Sequence, residues 1–379
     1  MQTKAEYTLG GMTMDYAARM VAARRLMNEH GIDLLAVSPD DDMRYLLGYA
    51  PHPDERPCYL LVNSGAAAFV VPSLNASDAA QHVTLPTFAY TDAEGPADAL
   101  AGAAKVLGGR SPRRIAVSDT MRADYVLTLQ RAHPDAALAL GSLVLAPLRM
   151  RKSAEEIDVL KRSSRHADQA VRDAWAACRV GATEREIGEA AAASFKRSGS
   201  DEVLFTSIAS GPNGAFPHHH SGTRALSPGD SVTMDLAGRL EGYASDITRV
   251  AFVGTPTPKY VEVHRTVDAA VTAGMAAARP GALLKDVDLA ARAVIERAGY
   301  GRYFVHRVGH GLGLTGHELP SVTHLNTQPI EEGMVFSVEP GIYLPGEFGV
   351  RLEEIVYIAK DGAHRLSELP RDVRLIAAE

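Results

Sequence analysis

Five side chains in the C-terminal half of this 379-residue chain have the types and spacing to hold divalent cations. Asp235 and Asp246 lie on strand-like runs, Val232–Leu236 and Ala244–Thr248, that flank Gly238–Gly242. A short hairpin over this stretch brings the two acids side by side. Glu339 and Glu353 repeat the arrangement farther along. Carboxylates crowded into a half-buried sheet cost about 1–4 kcal/mol each unless a cation sits between them. Four such acids need more than one positive charge, and two divalent ions supply it. His310 adds a nitrogen donor within Val308-Gly-His-Gly-Leu-Gly-Leu-Thr-Gly-His317, where glycines allow close backbone approach. An oxygen-rich set with one imidazole suits Mn²⁺, Co²⁺ or Fe²⁺, admits Zn²⁺, and suits Mg²⁺ less. Two metals ~3.5–4 Å apart activate a bridging water and polarise a carbonyl, which is the chemistry of hydrolysis.

Other residues near these acids in sequence are suited to handling a substrate. His218 belongs to Pro217-His-His-His220, a polar loop before the first acid-bearing strand, and His219 and His220 are read as bystanders. His317 follows His310 by seven residues. Arg351 precedes Glu353 by two, so on one strand both face the same side, where a guanidinium could hold a carboxylate or offset the acids. Glu354 should face the opposite side and is read as structural. His306 forms a His-x₃-His pair with His310 but has no helical context. Gly311-x-Gly313-x-x-Gly316 matches a dinucleotide fingerprint only by letters, because Pro320 interrupts where a helix should follow. Taken singly, each acid or arginine is ordinarily a turn or surface group; the joint set of five reverses that reading.

The elements that position these residues come in two copies. Residues 168–199 and 268–299 align at an offset of 100 without a gap, sharing Gly181/Gly281, Ala182/Ala282, Arg197/Arg297 and Gly199/Gly299. Ser153 and Glu156 form a capping box before a helix that runs to Cys178 and stops at Gly181. Thr183 and Glu186 form a second box, opening a helix that ends near Gly199. The likeness continues beyond the helices: Gly229-Asp-Ser-Val-Thr-Met-Asp235 matches Gly333-Met-Val-Phe-Ser-Val-Glu339 as glycine, apolar-rich strand, acid. Two facing half-domains, each offering a pair of carboxylates, follow from this.

The N-terminal part reads as alternating helix and strand. A helix is predicted over Ala17–His30, stopped by Gly31; strands over Tyr59–Val62 and Ala67–Val71, joined by an Asn63-Ser64-Gly65 turn; a helix over Ala97–Leu107; and a strand over Arg114–Val117. Ile32–Val37 is a further short apolar run. Met1–Gly11 is polar, lacks a signal-peptide core, and is expected to be a frayed extension.

Composition narrows the function class. A hydrophobic share of 46% supports a sizeable core, and a net charge of −7 argues against nucleic-acid or anionic-membrane partners. The longest apolar runs fall short of a membrane span. Two cysteines, Cys58 and Cys178, form no disulfide framework and fit a reducing, cytoplasmic setting.

The strings Pro217-His218, MDLAGRLEGYASDITR, VGHGLGLTGHELP, FSVEPGIY and GVRLEE together resemble the pita-bread metallopeptidases, a family that includes Xaa-Pro dipeptidase (prolidase), aminopeptidase P, methionine aminopeptidase and creatinase. The resemblance is strong over about residues 150–379 and looser over the N-terminal part, where DMRYLLGY and the Arg56 region carry it. It implies an α/β creatinase-like N-terminal domain (1–148) followed by an α+β pita-bread catalytic domain (149–379) with an internal pseudo-two-fold repeat. It implies metal ligands Asp235, Asp246, His310, Glu339 and Glu353, with Asp246 and Glu353 bridging two divalent ions, most simply manganese, with cobalt or zinc as alternatives. Glu339 would also manage the proton of the attacking water. His218 and His317 would orient the substrate and stabilise the tetrahedral intermediate, with Arg351 close to the substrate. The reaction implied is hydrolysis of Xaa-Pro dipeptides by a hydroxide bridging the metals, with aminopeptidase P action on longer peptides as the alternative and a non-catalytic binding module as a remote one. The resemblance also implies a homodimer. Pro-His-His-His in place of the commoner Pro-His-Gly, and Thr315-Gly316 in place of a bulkier pair, are departures that could reshape the substrate pocket.

Overall fold

The computed structural model describes residues 8, 9 and 12–378, with side chains from Met14 onward, so most of the expected frayed opening lies outside the described residues. The chain divides into two compact units, residues 1–149 and 150–379.

The first unit begins with a two-residue pair, β1 (Thr8–Leu9) and β2 (Met12–Thr13), and then alternates helix and strand. Its elements are α1 (Tyr16–Glu29), β3 (Leu34–Val37), α2 (Asp41–Leu47), β4 (Tyr59–Val62) and β5 (Ala67–Pro72). They continue with α3 (Ser73–His82), β6 (Thr87–Tyr90), α4 (Ala97–Val106), β7 (Arg114–Val117), α5 (Ala123–Ala132), β8 (Ala137–Leu140) and α6 (Ser142–Arg149). The six strands form one sheet in the order β6-β5-β4-β3-β7-β8. Strand β3 starts at Leu34 rather than Ile32 because the two preceding residues are otherwise engaged. The Ile32 N–H closes the end of α1 on the Met27 carbonyl, and the Asp33 carboxylate accepts from the Arg113 and Arg114 N–H groups.

The second unit opens on α7 (Ala154–Ala177) and α8 (Glu184–Arg197), both started by the expected reciprocal capping boxes. Strands β9 (Glu202–Ser210), β10 (Ser231–Leu240) and β11 (Tyr243–Val253) follow as an antiparallel meander. The second copy is α9 (Pro258–Ala277), α10 (Leu284–Arg297), β12 (Gly309–Gly311), β13 (Glu318–Val322), β14 (Val335–Val338), β15 (Gly341–Leu344), β16 (Phe348–Arg351), β17 (Glu354–Ala359) and β18 (Gly362–Arg365), and β19 (Arg374–Ile376) closes the chain. The strands form sheets ordered β19-β11-β10-β9 and β13-β12-β14-β17-β18, with β15-β16 as a separate hairpin. Each half has its own apolar core, and β11 divides them. Ala251 and Val253 pack into the first core, Val250 and Phe252 into the second, and all eleven β11 residues are buried.

The duplication extends to individual backbone hydrogen bonds. Gly181 N–H donates to Leu226 O at 2.9 Å, and Gly281 N–H to Ile330 O at 2.9 Å. Leu226 N–H returns a bond to Ala182 O, and Ile330 N–H to Ala282 O. Glu184 and Leu284 N–H bond Arg224 O and Gln328 O in the same way. The offset is 100 on the helical side and 104 on the strand side, and the latter carries Asp235 onto Glu339. The capping differs between copies. Thr183 accepts from Glu186 N–H, whereas Leu283 has no acceptor and retains only the return bond, its N–H donating to Asp286 at 3.0 Å.

Candidate metal centre

Strand alternation aims the first two acids. In the β10–β11 ladder Asp235 pairs with Thr248 and Ala237 with Asp246, so Asp235 and Asp246 are diagonal neighbours on one face rather than directly opposed. Thr248 shares that face, two residues beyond Asp246. In the second half, Val338 pairs with Glu354, and Glu339 and Glu353 flank that last pair where β14 and β17 open. Strand β16 ends at Arg351, so Arg351 and Glu353 do not share one strand as expected. Their side chains nevertheless converge: the Thr248 hydroxyl lies 2.9 Å from Glu353 Oε2 and 3.1 Å from Arg351 Nε.

Ligand atoms of the five residues form overlapping groups whose members lie within 4.8 Å of one another. One group is Asp235, Asp246 and Glu353; another is His310, Glu339 and Glu353. A third joins Asp246 and His310 to His317, which extends the sequence reading of His317 as a substrate residue only. The His317 ring lies 3.8 Å from that of His310. His310 is placed by its neighbours: its N–H donates to Ser337 Oγ, and its Nε2 faces Glu339 Oε1 at 3.1 Å.

The electrostatics fit a cation. Burial pushes Asp246 and Glu353 well above the usual carboxylate range, and the neighbouring acids add to the push. Burial also raises Asp235, though Arg351 opposes it. Burial acts on Glu339 in the same direction, but the hydrogen bond and charge of His310, with Arg351 and His306, hold it at about 2. Asp246 Oδ1 is buried with no hydrogen-bond partner. Buried polar atoms are almost always satisfied, so an unpartnered carboxylate oxygen among three other acids suits a metal ion. The residues present therefore fit divalent metal.

Arg351 resolves the choice left open by the sequence. Its donors go to Asp235 Oδ2 (2.6 Å), Thr248 Oγ1, Tyr343 Oη (3.0 Å) and Pro217 O (3.2 Å), four bonds from a group with five N–H donors. It offsets the acids and has little capacity left for a substrate carboxylate. His218 is exposed and lies near enough to His306 and His317 to oppose a charge on either. Burial first, and then His310, lowers His317 to about 4, so its ring is neutral at pH 7. His219 is no bystander: its Nε2 bonds Glu184 Oε2 at 2.8 Å, and Glu184 also accepts from Ser210, Asn213 and Gly222, anchoring the loop that carries His218. Glu354 is structural, paired with Arg249 at 2.9 Å, both fully buried.

Three contributors went unread in the sequence. Thr248 touches Asp235, Glu353 and Arg351, and strand alternation from Asp246 could have found it. Tyr343 accepts from Arg351 and contacts His306 Nε2 at 2.9 Å, placing His306 at the site's edge; no local signal marks it. Ser337 donates to Glu339 Oε1 and lies two residues before it.

Residues 158–360 match the model of metallopeptidase family M24, and residues 19–151 match the creatinase/prolidase N-terminal domain. Among curated proteins, the probable dipeptidase PepE of Mycobacterium tuberculosis is 35% identical over 95% of this chain and 96% of its own length. The Xaa-Pro dipeptidase of Lactobacillus helveticus is 34% identical over 91% and 95%. Among solved structures, a recombinant prolidase from Thermococcus sibiricus superposes with a TM-score of 0.90 at 31% identity, covering 97% of this chain and all of the other (100%). With its creatinase-type N-terminal domain and pita-bread catalytic domain, the chain belongs to metallopeptidase family M24.

Proposed function

We propose that this enzyme hydrolyses the bond between any residue and a following proline, acting on dipeptides. In this reading Asp235, Asp246, His310, Glu339 and Glu353 would hold two divalent ions. The observation that carries it is the buried meeting of four acids and one imidazole around an unpartnered Asp246 oxygen. The names of relatives that match over nearly their whole length support the substrate class. The oxygen-rich donor set favours manganese, with cobalt or zinc as substitutes. Two such ions, when bound, supply an acidified water and withdraw electron density from the scissile carbonyl.

The chain's own residues do the rest. Glu339, kept as a carboxylate by His310 and Arg351, accepts the proton of the attacking water and delivers it to the departing proline nitrogen. His218 and His317 face the substrate and steady the carbonyl oxygen as it gains charge. Arg351 holds Asp235 in place and opposes the pull of burial on its charge. The protein acts as a homodimer in the cytoplasm, a compartment that agrees with two free, buried cysteines. Asp246→Asn should lose bound metal and activity together, measured by elemental analysis and hydrolysis of Ala-Pro. Full activity in that variant would falsify the proposal. Cleavage of Ala-Pro but not Ala-Pro-Ala is expected, and the reverse would move the enzyme to aminopeptidase P action.

A further inference from the structure

The turn that delivers His317 is thinly packed. Thr315 and Gly316 are half-buried and His317 is exposed. A Cβ on Gly316 would meet Leu204 Cδ1 at an ordinary 3.8 Å and nothing else within 4 Å among the described residues.

Polar bonds hold the turn. The Gly313 N–H donates to Thr315 O at 3.1 Å, and Gly313 O accepts from the Ala244 N–H at 2.7 Å, which ties the stretch to β11. On the far side Glu318 opens β13, paired with Gly311. Its carboxylate folds back over the turn. Oε2 accepts from the Thr315 N–H at 3.4 Å, and Oε1 accepts from Lys152 Nζ at 2.8 Å. His317 thus lies between the two residues, Thr315 and Glu318, that this carboxylate joins.

Lys152 is fixed in its turn. Its N–H donates to Gly333 O at 2.8 Å, at the start of the run that leads to Glu339. A Cβ on Gly313 would lie 3.0 Å from Lys152 Cε and 2.6 Å from Glu318 Oε1, so glycine admits the pair. The Lys152 and Glu318 side chains are 1% and 8% exposed. An apolar pair of the same volume is often as stable as a buried ion pair, or more so. Two charges taken out of water beside the site's histidines therefore point to geometry, rather than stability, as their use.

We propose that Glu318, anchored by Lys152, is a positioning residue that sets His317 for the reaction. This rests on the reading of His317 above, as a group that steadies the substrate carbonyl. Glu318 does not touch the substrate. It fixes the backbone on both sides of His317, which keeps that ring beside the His310 ring, 3.8 Å away. A misplacement of about 1 Å can cost on the order of a hundredfold in rate.

Hydrolysis of Ala-Pro by the Mn²⁺-loaded full chain, in a cycle of Glu318→Gln and His317→Ala, tests this. Glutamine keeps one acceptor for Lys152 and loses the second, which Thr315 uses. In the parent, Glu318→Gln should lower kcat/KM by about tenfold or more, with bound Mn²⁺ unchanged by elemental analysis. In the His317→Ala background the same change should cost less than about twofold, because no ring is left to misplace. Lys152→Met combined with Glu318→Gln strands no charge, so it serves if Glu318→Gln alone folds poorly, and it should behave the same way in both backgrounds. An equal fall in both backgrounds is what a purely structural pair gives, and it overturns the inference while leaving the Xaa-Pro reading intact. So does an unchanged kcat/KM in the parent background, or a loss of Mn²⁺ along with activity. If His317→Ala by itself leaves kcat/KM unchanged, the reading of His317 fails and this inference falls with it. If the unaltered enzyme does not cleave Ala-Pro, the Xaa-Pro reading fails and takes the inference with it.

Discussion

Replacing Arg249 by methionine should weaken both the fold and the metal centre. Arg249 is fully buried, and its guanidinium donates to Pro370 O, Thr248 O, Glu353 O, Leu369 O, Ser367 Oγ and Glu354 Oε1, at 2.6–3.2 Å. It thereby ties β11 of the first half to the Glu353 backbone of the second. Removing one partner of a buried ion pair costs about 3–5 kcal/mol, because the remaining charge is left without its counterion. Here Arg371 and Arg365 still lie 3.5 and 3.8 Å from Glu354 Oε1, which places the expected loss toward the lower end. The orphaned carbonyls of Glu353 and Leu369 push it back up. Urea unfolding of Arg249→Met, Glu354→Gln and the double variant gives the coupling between the two side chains. A coupling of about 2 kcal/mol or more is expected, within the range found for contacting residues. Since Arg249 holds the Glu353 carbonyl, metal affinity measured by calorimetry should also fall by about 10–100-fold, as it does when outer-shell partners are removed. Additive losses in the cycle, with metal affinity unchanged in Arg249→Met, would refute the idea that this arginine joins the halves at the metal acids.

Stripping divalent ions with a chelator should lower the thermal midpoint, and Mn²⁺ should restore it, because the four acids repel one another without a cation; an unchanged midpoint in calorimetry counts against the site. Gly311→Ala should cost about 3 kcal/mol or more in denaturant unfolding, since its methyl meets the Leu319 carbonyl and the backbone must move; a loss under about 1 kcal/mol contradicts that close approach. The His264 Nε2–H donates to Arg371 O at 2.9 Å, and burial lowers this histidine's pKa from its ordinary 6.5. The unfolded chain then takes up a proton that the folded chain refuses. Stability from this group is full above pH 6.5 and declines as the pH falls below it, so urea midpoints should drop across that window in the parent and less in His264→Gln.

Much of this was legible because its causes are local. The helix starts at Ser153 and Thr183 are reciprocal bonds between residues three apart, and the structure contains both. Gly31, at φ 62°, stops α1 where a left-handed residue must. The meeting of Asp235 and Asp246 on one face follows from one hairpin. What could not be read depends on segments distant in the chain. Thr248 matters because Glu353 reaches it from 105 residues away, and the Arg249–Glu354 pair spans the same separation. His219 reads as a bystander in the sequence because its partner, Glu184, lies on a helix 35 residues earlier. The gapless alignment stops at residue 199 because the offset changes from 100 to 104 beyond it; the match of Gly229–Asp235 to Gly333–Glu339 already carries the new offset, and the backbone hydrogen bonds repeat it.

Two cradles with the same backbone bonds pose a sorting problem for the folding chain, since α8 and α10 each meet a loop able to receive the other. Glu184 provides a discriminator. In its own place it is fully enclosed by His219, Ser210, Asn213 and Gly222. In the other cradle it would enter the position held by Leu284, itself 0% exposed within the apolar core of the second half. A carboxylate stranded there would cost several kcal/mol, on the order of the penalty for an unpaired buried ion, so one acid penalises the exchange that duplication makes possible.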